Sequence, residues 1–392
     1  MNHQHYPRTL AVIVACLALG HLPLSAQQTI TIPGTSGLSE SPIPVNLSGF
    51  SGEALEVIQF DLLVQGFSLA GADTAQYLLS GSNAGNVVGR AQDRINKNML
   101  VNKSYTGANL RRQAHQFVDD FLATLGRRGI GGTRIAFVHT EGRNSEIYVG
   151  NFDGTDAAPV TQDDSTAISP AWTPDNQALC YTSYRSGGAW IYLQNLAARQ
   201  RTIIARYPGS NFSPAVAPDG QRVAMILSKS GTVDLYAANL TGNVLTRLTQ
   251  SREDESSPCW SPDGQWICYA GKINGRRALY RIASGGGKPE RIATSGVLNP
   301  TEPDWSPDGK WIVFTQQRRG GFDICVVPAA GGSATVLVEG EDPSWAPNSR
   351  TVVYTRRNAR GGDQLSLLDV PTKQTKTITR ISGSNSQPSW AK

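Results

Sequence analysis

The stretch Ser257-Pro258-Cys259-Trp260-Ser261-Pro262-Asp263-Gly264-Gln265-Trp266-Ile267-Cys268-Tyr269 decides the fold. Residues 258–261 suit the opening of a short strand, and residues 266–269 suit a second. Between them Pro262-Asp263-Gly264 is a turn, because proline presets φ at the first corner and Asp and Gly suit the positions after it. A loop through Asn274-Gly275 leads to a third strand, Ala278-Leu279-Tyr280-Arg281-Ile282. Gly285-Gly286-Gly287 turns the chain again, and Glu290-Arg291-Ile292-Ala293 is a fourth. The unit is four short strands joined by tight turns.

The same grammar recurs along the chain. SPAW stands at 169–172, SPAV at 213–216, EPDW at 302–305, DPSW at 342–345 and QPSW at 387–390. The prolines Pro170, Pro214, Pro258, Pro303, Pro343 and Pro388 are 44, 44, 45, 40 and 45 residues apart. A period of that length, built from short strands, predicts propeller blades and not a helical repeat. Asp175, Asp219, Asp263 and Asp308 recur in the turns, and turn chemistry alone accounts for them.

The last unit has one strand, since only Ala391 and Lys392 follow Trp390. Its missing strands are found upstream, at residues 134–138, 146–149 and 158–161. The two ends therefore complete one blade, which closes the ring and leaves no open sheet edge. The expectation is a mainly β protein, a six-bladed β-propeller over residues 132–392.

Residues 27–131 show no such repeat and read as a small α/β domain. Residues 29–32 and 43–47 suit strands, and Ser51 suits the cap of a helix over 52–66. A second helix is expected over 108–125, with Leu110, Ala114, Phe117, Val118, Phe121, Leu122 and Leu125 on one stripe and Gly126 as its stop. Gly129-Ile130-Gly131-Gly132 is the expected hinge.

Residues 1–26 read as a signal peptide: an apolar run over 10–19, then a small-residue end with cleavage after Ala26. The run is too short to span a bilayer. A lipoprotein-like box ending at Cys16 ranks second. Cleavage leaves Cys180, Cys259, Cys268 and Cys325. A bridge between Cys259 and Cys268 stays open, but buried free thiols are the favoured reading.

Composition narrows the function. Charged residues at 17% and hydrophobic ones at 39% are a globular balance. A net charge of +5, with no dense basic tract, gives nucleic-acid binding little support. After residue 26 there are two histidines, His115 and His139, which read as ordinary surface or core residues. No HExxH or GxSxG occurs, and Gly285-Gly286-Gly287-Lys288 runs into Pro289, so it is not a phosphate loop. No catalytic, cofactor or metal site is expected.

The arrangement resembles the TolB family, the periplasmic propeller proteins of the Tol–Pal envelope system. The residues that carry the resemblance are TRIAFV (133–138), SPAWTPD (169–175), SKSGTVDLY (228–236) and PIPVNLSGFSG (42–52). Between Phe67 and Tyr105 this chain looks abbreviated and rich in Gly, Asn and Ser. The resemblance implies a periplasmic monomer whose propeller binds the peptidoglycan-associated lipoprotein of the outer membrane. It also implies roles in outer-membrane integrity and cell division, and inner-membrane Tol partners for the N-terminal domain. The competing reading is a propeller that serves, or acts as, a lyase or peptidase-type enzyme on exported substrates.

Loop position suggests where a partner would sit. The loops leading into each first strand carry Asp163, Asp164, Glu253, Asp254, Glu255, Glu302, Glu341 and Asp342. The loops between second and third strands carry Arg143, Arg185, Lys229, Lys272, Arg276, Arg277, Arg318, Arg319, Arg356, Arg357 and Arg360. One face should therefore show an acidic inner ring inside a basic outer ring. It suits a partner loop with a central cation and an acidic rim, or a bound cation. The expected contacts are Ser210, Asn211, Glu255, Ser256, Thr301, Glu302, Glu341 and Asp342.

Overall fold

Tight Pro-Asp-Gly turns and alternating strands build six four-stranded antiparallel sheets in the computed structural model, which describes residues 38–392 except 108, 242, 274 and 360. The expected signal peptide, Cys16, the strand over 29–32 and Arg360 lie outside the described residues. From the inside outward, blade 2 runs Ala167–Trp172, Ala178–Ser183, Trp190–Asn195 and Arg201–Ala205. Blade 3 begins at Asn211–Val216, blade 4 at Glu255–Trp260, blade 5 at Pro300–Trp305 and blade 6 at Glu341–Trp345. Blade 1 takes its inner strand, Ser384–Trp390, from the far end of the chain and pairs it with Arg134–Glu141. Asn144–Asn151 and Ala158–Pro159 complete it, so the ring closes as the repeat arithmetic requires.

The seams between blades are apolar, and tryptophans cross them. Trp172, Trp260, Trp305, Trp345 and Trp390 end their first strands and are all buried. Trp172 Nε1 donates to Ser389 O at 3.0 Å, Trp260 Nε1 to Ala215 O at 2.8 Å and Trp345 Nε1 to Asp304 O at 3.2 Å. Each of these three bonds reaches the preceding blade, so those seams have directional polar contacts as well as apolar burial, while Trp305 Nε1 bonds Gly309 O within its own blade at 3.1 Å.

The N-terminal part is a five-stranded sheet with two helices. Its elements are β1 (Ile43–Ser48), α1 (Gly52–Leu63), β2 (Phe67–Leu69), β3 (Tyr77–Ser82), β4 (Val88–Asp93), β5 (Met99–Ser104) and α2 (Leu110–Thr124). The order is β2-β1-β3-β4-β5, parallel at β1 and antiparallel from β3 onward. The buried stripe of α2 includes Phe117, Val118, Phe121 and Leu122, as its periodicity predicts. The helix begins at Leu110, two residues later than expected, because Asn109 Oδ1 caps the Arg112 amide at 2.8 Å. Ser51 holds the N-cap position of α1, but its side chain makes no cap bond. Instead its amide and carbonyl bond the Asn83 side chain at 3.0 and 3.1 Å.

The stretch between Phe67 and Tyr105, which looks abbreviated in sequence, carries strands β2 to β5. Two of their glycines are packing residues. Gly81 and Gly89 face each other across β3 and β4. A Cβ on Gly81 would come within 2.6 Å of the Phe50 ring, and one on Gly89 within 2.3 Å of Phe117. The two rings need that bare backbone to close over the sheet.

The α/β part packs on blades 6 and 1, against turns that join first to second and third to fourth strands. Thr351 Oγ1 donates to Val64 O at 3.0 Å, and Gln374 Nε2 to Phe67 O at 3.1 Å. Arg350 bonds Asp369 within blade 6 and reaches Glu40 at 2.9 Å. Strand direction alternates within a blade, so these turns lie at the opposite end from the loops leading into the first strands. The described residues of the α/β part leave the channel end with the acidic loops uncovered.

At the centre of that contact His115 is buried between two carboxylates. Its Nδ1 lies 2.7 Å from Asp61 Oδ2 and its Nε2 3.2 Å from Asp153 Oδ2. Asp61 comes from α1 and Asp153 from the outer turn of blade 1. Arg111 also bonds Asp153 and reaches Glu53 at 3.0 Å. Burial alone would lower the His115 pKa, but the two carboxylates outweigh it and push it up to about 10. No helix among the described residues is long and apolar enough to cross a membrane.

Candidate functional site

Six residues stand at one height around the channel, each just before a repeat proline: Ser169, Ser213, Ser257, Glu302, Asp342 and Gln387. All have left-handed φ, between 47° and 54°. Each marks a slip in register between first and second strands, so each is a bulge. Left-handed backbone at a residue other than glycine costs about 1–2 kcal/mol, which the surrounding ring must offset.

Half of this ring is laced together. Glu302 Oε2 accepts the Asp342 amide at 3.1 Å, Asp342 Oδ2 the Gln387 amide at 3.3 Å, and Gln387 Oε1 the Ser169 amide at 2.9 Å. Each bond runs from one blade to the next. In the other half the serines make no such link. The channel behind the ring is a cavity of about 540 Å³, walled by the prolines and tryptophans of the first strands. At its far end Lys392 Nζ bonds both oxygens of Asp304, at 2.7 and 2.8 Å.

The acidic mouth is a crescent on blades 5 and 6, not the full ring that loop position predicts. Glu302, Glu341 and Asp342 are partly exposed there. Burial, with Glu302 and Glu341 as neighbours, raises the Asp342 carboxyl well above its ordinary value. Burial, then Glu302 and Asp363, raises Glu341. A crescent of this kind favours an incoming cation. Among the described residues no three His, Cys, Asp or Glu side chains are grouped to hold a metal ion.

Of the other acids of the lead-in loops, Asp163 and Glu255 are turned to structural use, Glu253 accepts the Gly275 amide, and Asp164 and Asp254 are exposed. Asp163 is bonded by Arg201 at 2.9 Å with both carboxylate oxygens. Glu255 is 4% exposed, and its Oε2 accepts the Leu235 amide at 2.8 Å and the Thr249 hydroxyl. Asn211 is buried, with Oδ1 on the Tyr207 amide and Nδ2 on Ala189 O, both at 2.9 Å. These two side chains hold loops and do not join the crescent. Ser210, Ser256 and Thr301 are partly exposed beside the mouth. Ser169, Ser213, Ser257 and Gln387 belong to the ring as well. Sequence reasoning missed them, although the column of residues before the repeat prolines was available to find them.

The outer basic residues are where loop position puts them. Arg143, Arg185, Lys229, Lys272, Arg276, Arg318, Arg319, Arg356 and Arg357 are exposed. Arg318 is tied to Asp323 at 3.0 Å and Arg185 to Asp163 at 3.5 Å. Leu298, on the loop into blade 5, is 75% exposed and adds an apolar point beside the crescent.

Fold and mouth together define a ring-closed six-bladed β-propeller with an α/β layer on the face opposite its polar channel mouth. Residues 122–392 match the family described as TolB beta propeller domain, and the chain belongs to that family. The Tol-Pal system protein TolB of Bordetella avium (strain 197N) is 30% identical over 238 residues, covering 52% of this chain and 53% of that protein. The protein of the same name from Desulfosudis oleivorans is 35% identical over 120 residues, covering 30% and 27%. The chain thus spans about half, or less, of the length of these relatives. The crystal structure of TolB from Acinetobacter baumannii superposes with a TM-score of 0.81 over 91% of this chain and 98% of that one, at 23% identity. That likeness extends the shared fold to the α/β part.

Proposed function

We propose that this protein is a binding scaffold of a Tol–Pal type envelope system, not a catalyst, exported to the periplasm by a signal peptide removed near Ala26. Its propeller captures the peptidoglycan-associated lipoprotein of the outer membrane at the channel mouth. The α/β part, over residues 27–131, serves inner-membrane Tol proteins. Outer-membrane integrity and constriction at division follow from holding and releasing that lipoprotein.

The observation that carries this reading is the crescent of Glu302, Glu341 and Asp342, set inside exposed arginines and lysines and beside Leu298. It suits a protein loop with a cation at its tip, an apolar neighbour and acidic flanks. The names of the relatives support the choice of system. Ser210, Ser256 and Thr301 join the contact as mouth residues. Asn211 and Glu255 act on it only by shaping the loops.

The test is a titration of the purified protein with the soluble domain of the cognate lipoprotein. Glu302→Lys with Glu341→Lys should weaken binding at least tenfold and reverse its dependence on salt. Unchanged affinity would rule out the crescent as the contact.

A further inference from the structure

Blades 2 and 4 each hold a pair of stacked tyrosines in the seam toward the preceding blade. In blade 2 Tyr181 and Tyr192 are cross-strand partners with ring centroids 6.0 Å apart. In blade 4 Tyr269 and Tyr280 have the same relation at 5.8 Å. What covers the pair differs. In blade 2 the Arg201 guanidinium lies 5.7 and 5.6 Å from the two ring centroids. It is held there by Asp163, at 2.9 Å to each oxygen, and by Gln194 at 3.2 Å.

Blade 4 lacks both holding groups. Arg201 pairs with Gln194, two residues beyond Tyr192. The same step beyond Tyr280, with Arg281 opposite Glu290, puts Pro289 where Arg201 would be. Asp163 stands two residues after Thr161, whose hydroxyl accepts the Ile147 amide at 2.9 Å. Thr249 does the same for the Leu235 amide at 2.9 Å, so Ser251 replaces Asp163. With a proline and a serine there, neither position supplies a charged group over the tyrosines, although both rings stay buried, Tyr269 at 3% and Tyr280 at 9% exposed. The result is a pocket of about 370 Å³ lined by Tyr269, Tyr280, Ser251, Pro289, Glu255 and Lys272. In blade 2 Ala167 stands where Glu255 opens the first strand, and in the blade 2 seam the carboxylate on the equivalent threonine, Thr161, comes instead from Glu146 of blade 1.

We propose that this pocket receives the guanidinium of an arginine side chain from a partner protein, in the place that Arg201 fills from within in blade 2. The planar cation stacks on the tyrosine faces, and the buried Glu255 carboxylate balances its charge. The exposed Lys272 ammonium at the rim opposes it through water, where screening is strong. The pocket is separate from the channel mouth, and the inference stands on the comparison of blades, whatever binds at the crescent.

The test is NMR titration of the full protein with N-acetyl-arginine methylamide, its lysine counterpart and its neutral citrulline counterpart. Saturable shifts at the blade 4 tyrosines are expected with arginine, at least tenfold weaker binding with lysine, and none with citrulline. Glu255→Gln, which keeps the side-chain shape, should weaken arginine binding at least tenfold. Ser251→Asp with Pro289→Arg rebuilds the internal plug and should abolish it, with thermal unfolding checking that this variant stays folded. Glu302→Lys with Glu341→Lys should leave arginine binding unchanged. Failure of arginine to saturate, equal binding of citrulline, or full binding by a folded plug variant or by Glu255→Gln would overturn the proposal.

Discussion

Glu302 Oε2 accepts the backbone amide of Asp342 at 3.1 Å, across the seam between blades 5 and 6. Both residues hold left-handed backbone at the same height of the channel, so the bond joins two strained bulges. Gln387 repeats the link to Ser169 at 2.9 Å. Gln387→Ala removes the acceptor of a channel-wall amide and should cost about 1–2 kcal/mol in urea unfolding. Ser213→Ala, at an equivalent bulge without such a link, should cost less than about 0.5 kcal/mol. Equal losses would show that the lacing contributes nothing.

His115 ties the α/β part to the propeller. Its removal leaves Asp61 and Asp153 buried and facing each other, so His115→Ala should destabilise by about 3–5 kcal/mol. The pH dependence has a definite sign. The folded pKa is raised from 6.5 to about 10, so the imidazolium's contribution is complete below 6.5 and is gone once the pH has risen through 10. Wild-type stability should therefore fall across that window, and the fall should be absent in His115→Ala. Chemical denaturation at pH 6, 8 and 10 measures it.

Glu255 gives a second window. Burial raises its carboxyl from 4.5 to about 7, against the hydrogen bonds from Thr249 and the Leu235 amide. The folded state holds the proton more tightly than the unfolded one, so stability falls as the pH rises from 4.5 to 7. The size of the fall is at most roughly 3–4 kcal/mol for a shift of this order. Glu255→Gln keeps an acceptor and cannot ionise, so its stability should lack this slope and exceed that of wild type near pH 8. A parallel pH profile for the two proteins would refute the assignment.

The parts of this fold that were legible in sequence are those set by local chemistry repeated many times. Pro262-Asp263-Gly264 makes its turn from its own dihedral preferences, and recurring prolines at blade spacing count the blades. Helix α2 announces itself through the spacing of Phe117, Phe121 and Leu122. Strands β2 and β3 did not, because their places depend on parallel pairing of Ile43 with Phe67 and Val45 with Tyr77, which no turn signals. The Gly-rich composition of β3 and β4 looks like loop until Phe50 and Phe117 are seen closing on Gly81 and Gly89. The site was half legible for a related reason. Glu302 and Glu255 both sit near the start of a first strand, but Glu302 is at the bulge and Glu255 two places before it. That offset decides which carboxyl lines the channel and which enters the seam. The His115 contact joins α1, α2 and blade 1, so no local pattern could reveal it.

Cys259 and Cys268 are direct cross-strand partners in blade 4, and both are buried free thiols. Their place in the ladder argues against a bridge. The Ser261 amide bonds Trp266 O at 2.9 Å, which makes Ser261 and Trp266 a hydrogen-bonded pair. Pair types alternate along an antiparallel ladder, so Trp260 and Ile267 are non-hydrogen-bonded, and Cys259 and Cys268 are hydrogen-bonded again. In such pairs the side chains stand wider apart than a disulfide's Cβ separation of roughly 3.5–4.5 Å allows, so bridging would require the backbone to move. Burial also pushes the Cys259 thiol well above its ordinary pKa, which starves exchange of thiolate. After purification from an oxidising compartment and denaturation without reductant, Cys180, Cys259, Cys268 and Cys325 should all take an alkylating label. A mass two units lower, with Cys259 and Cys268 unlabelled, would show that the ladder yields to the bridge.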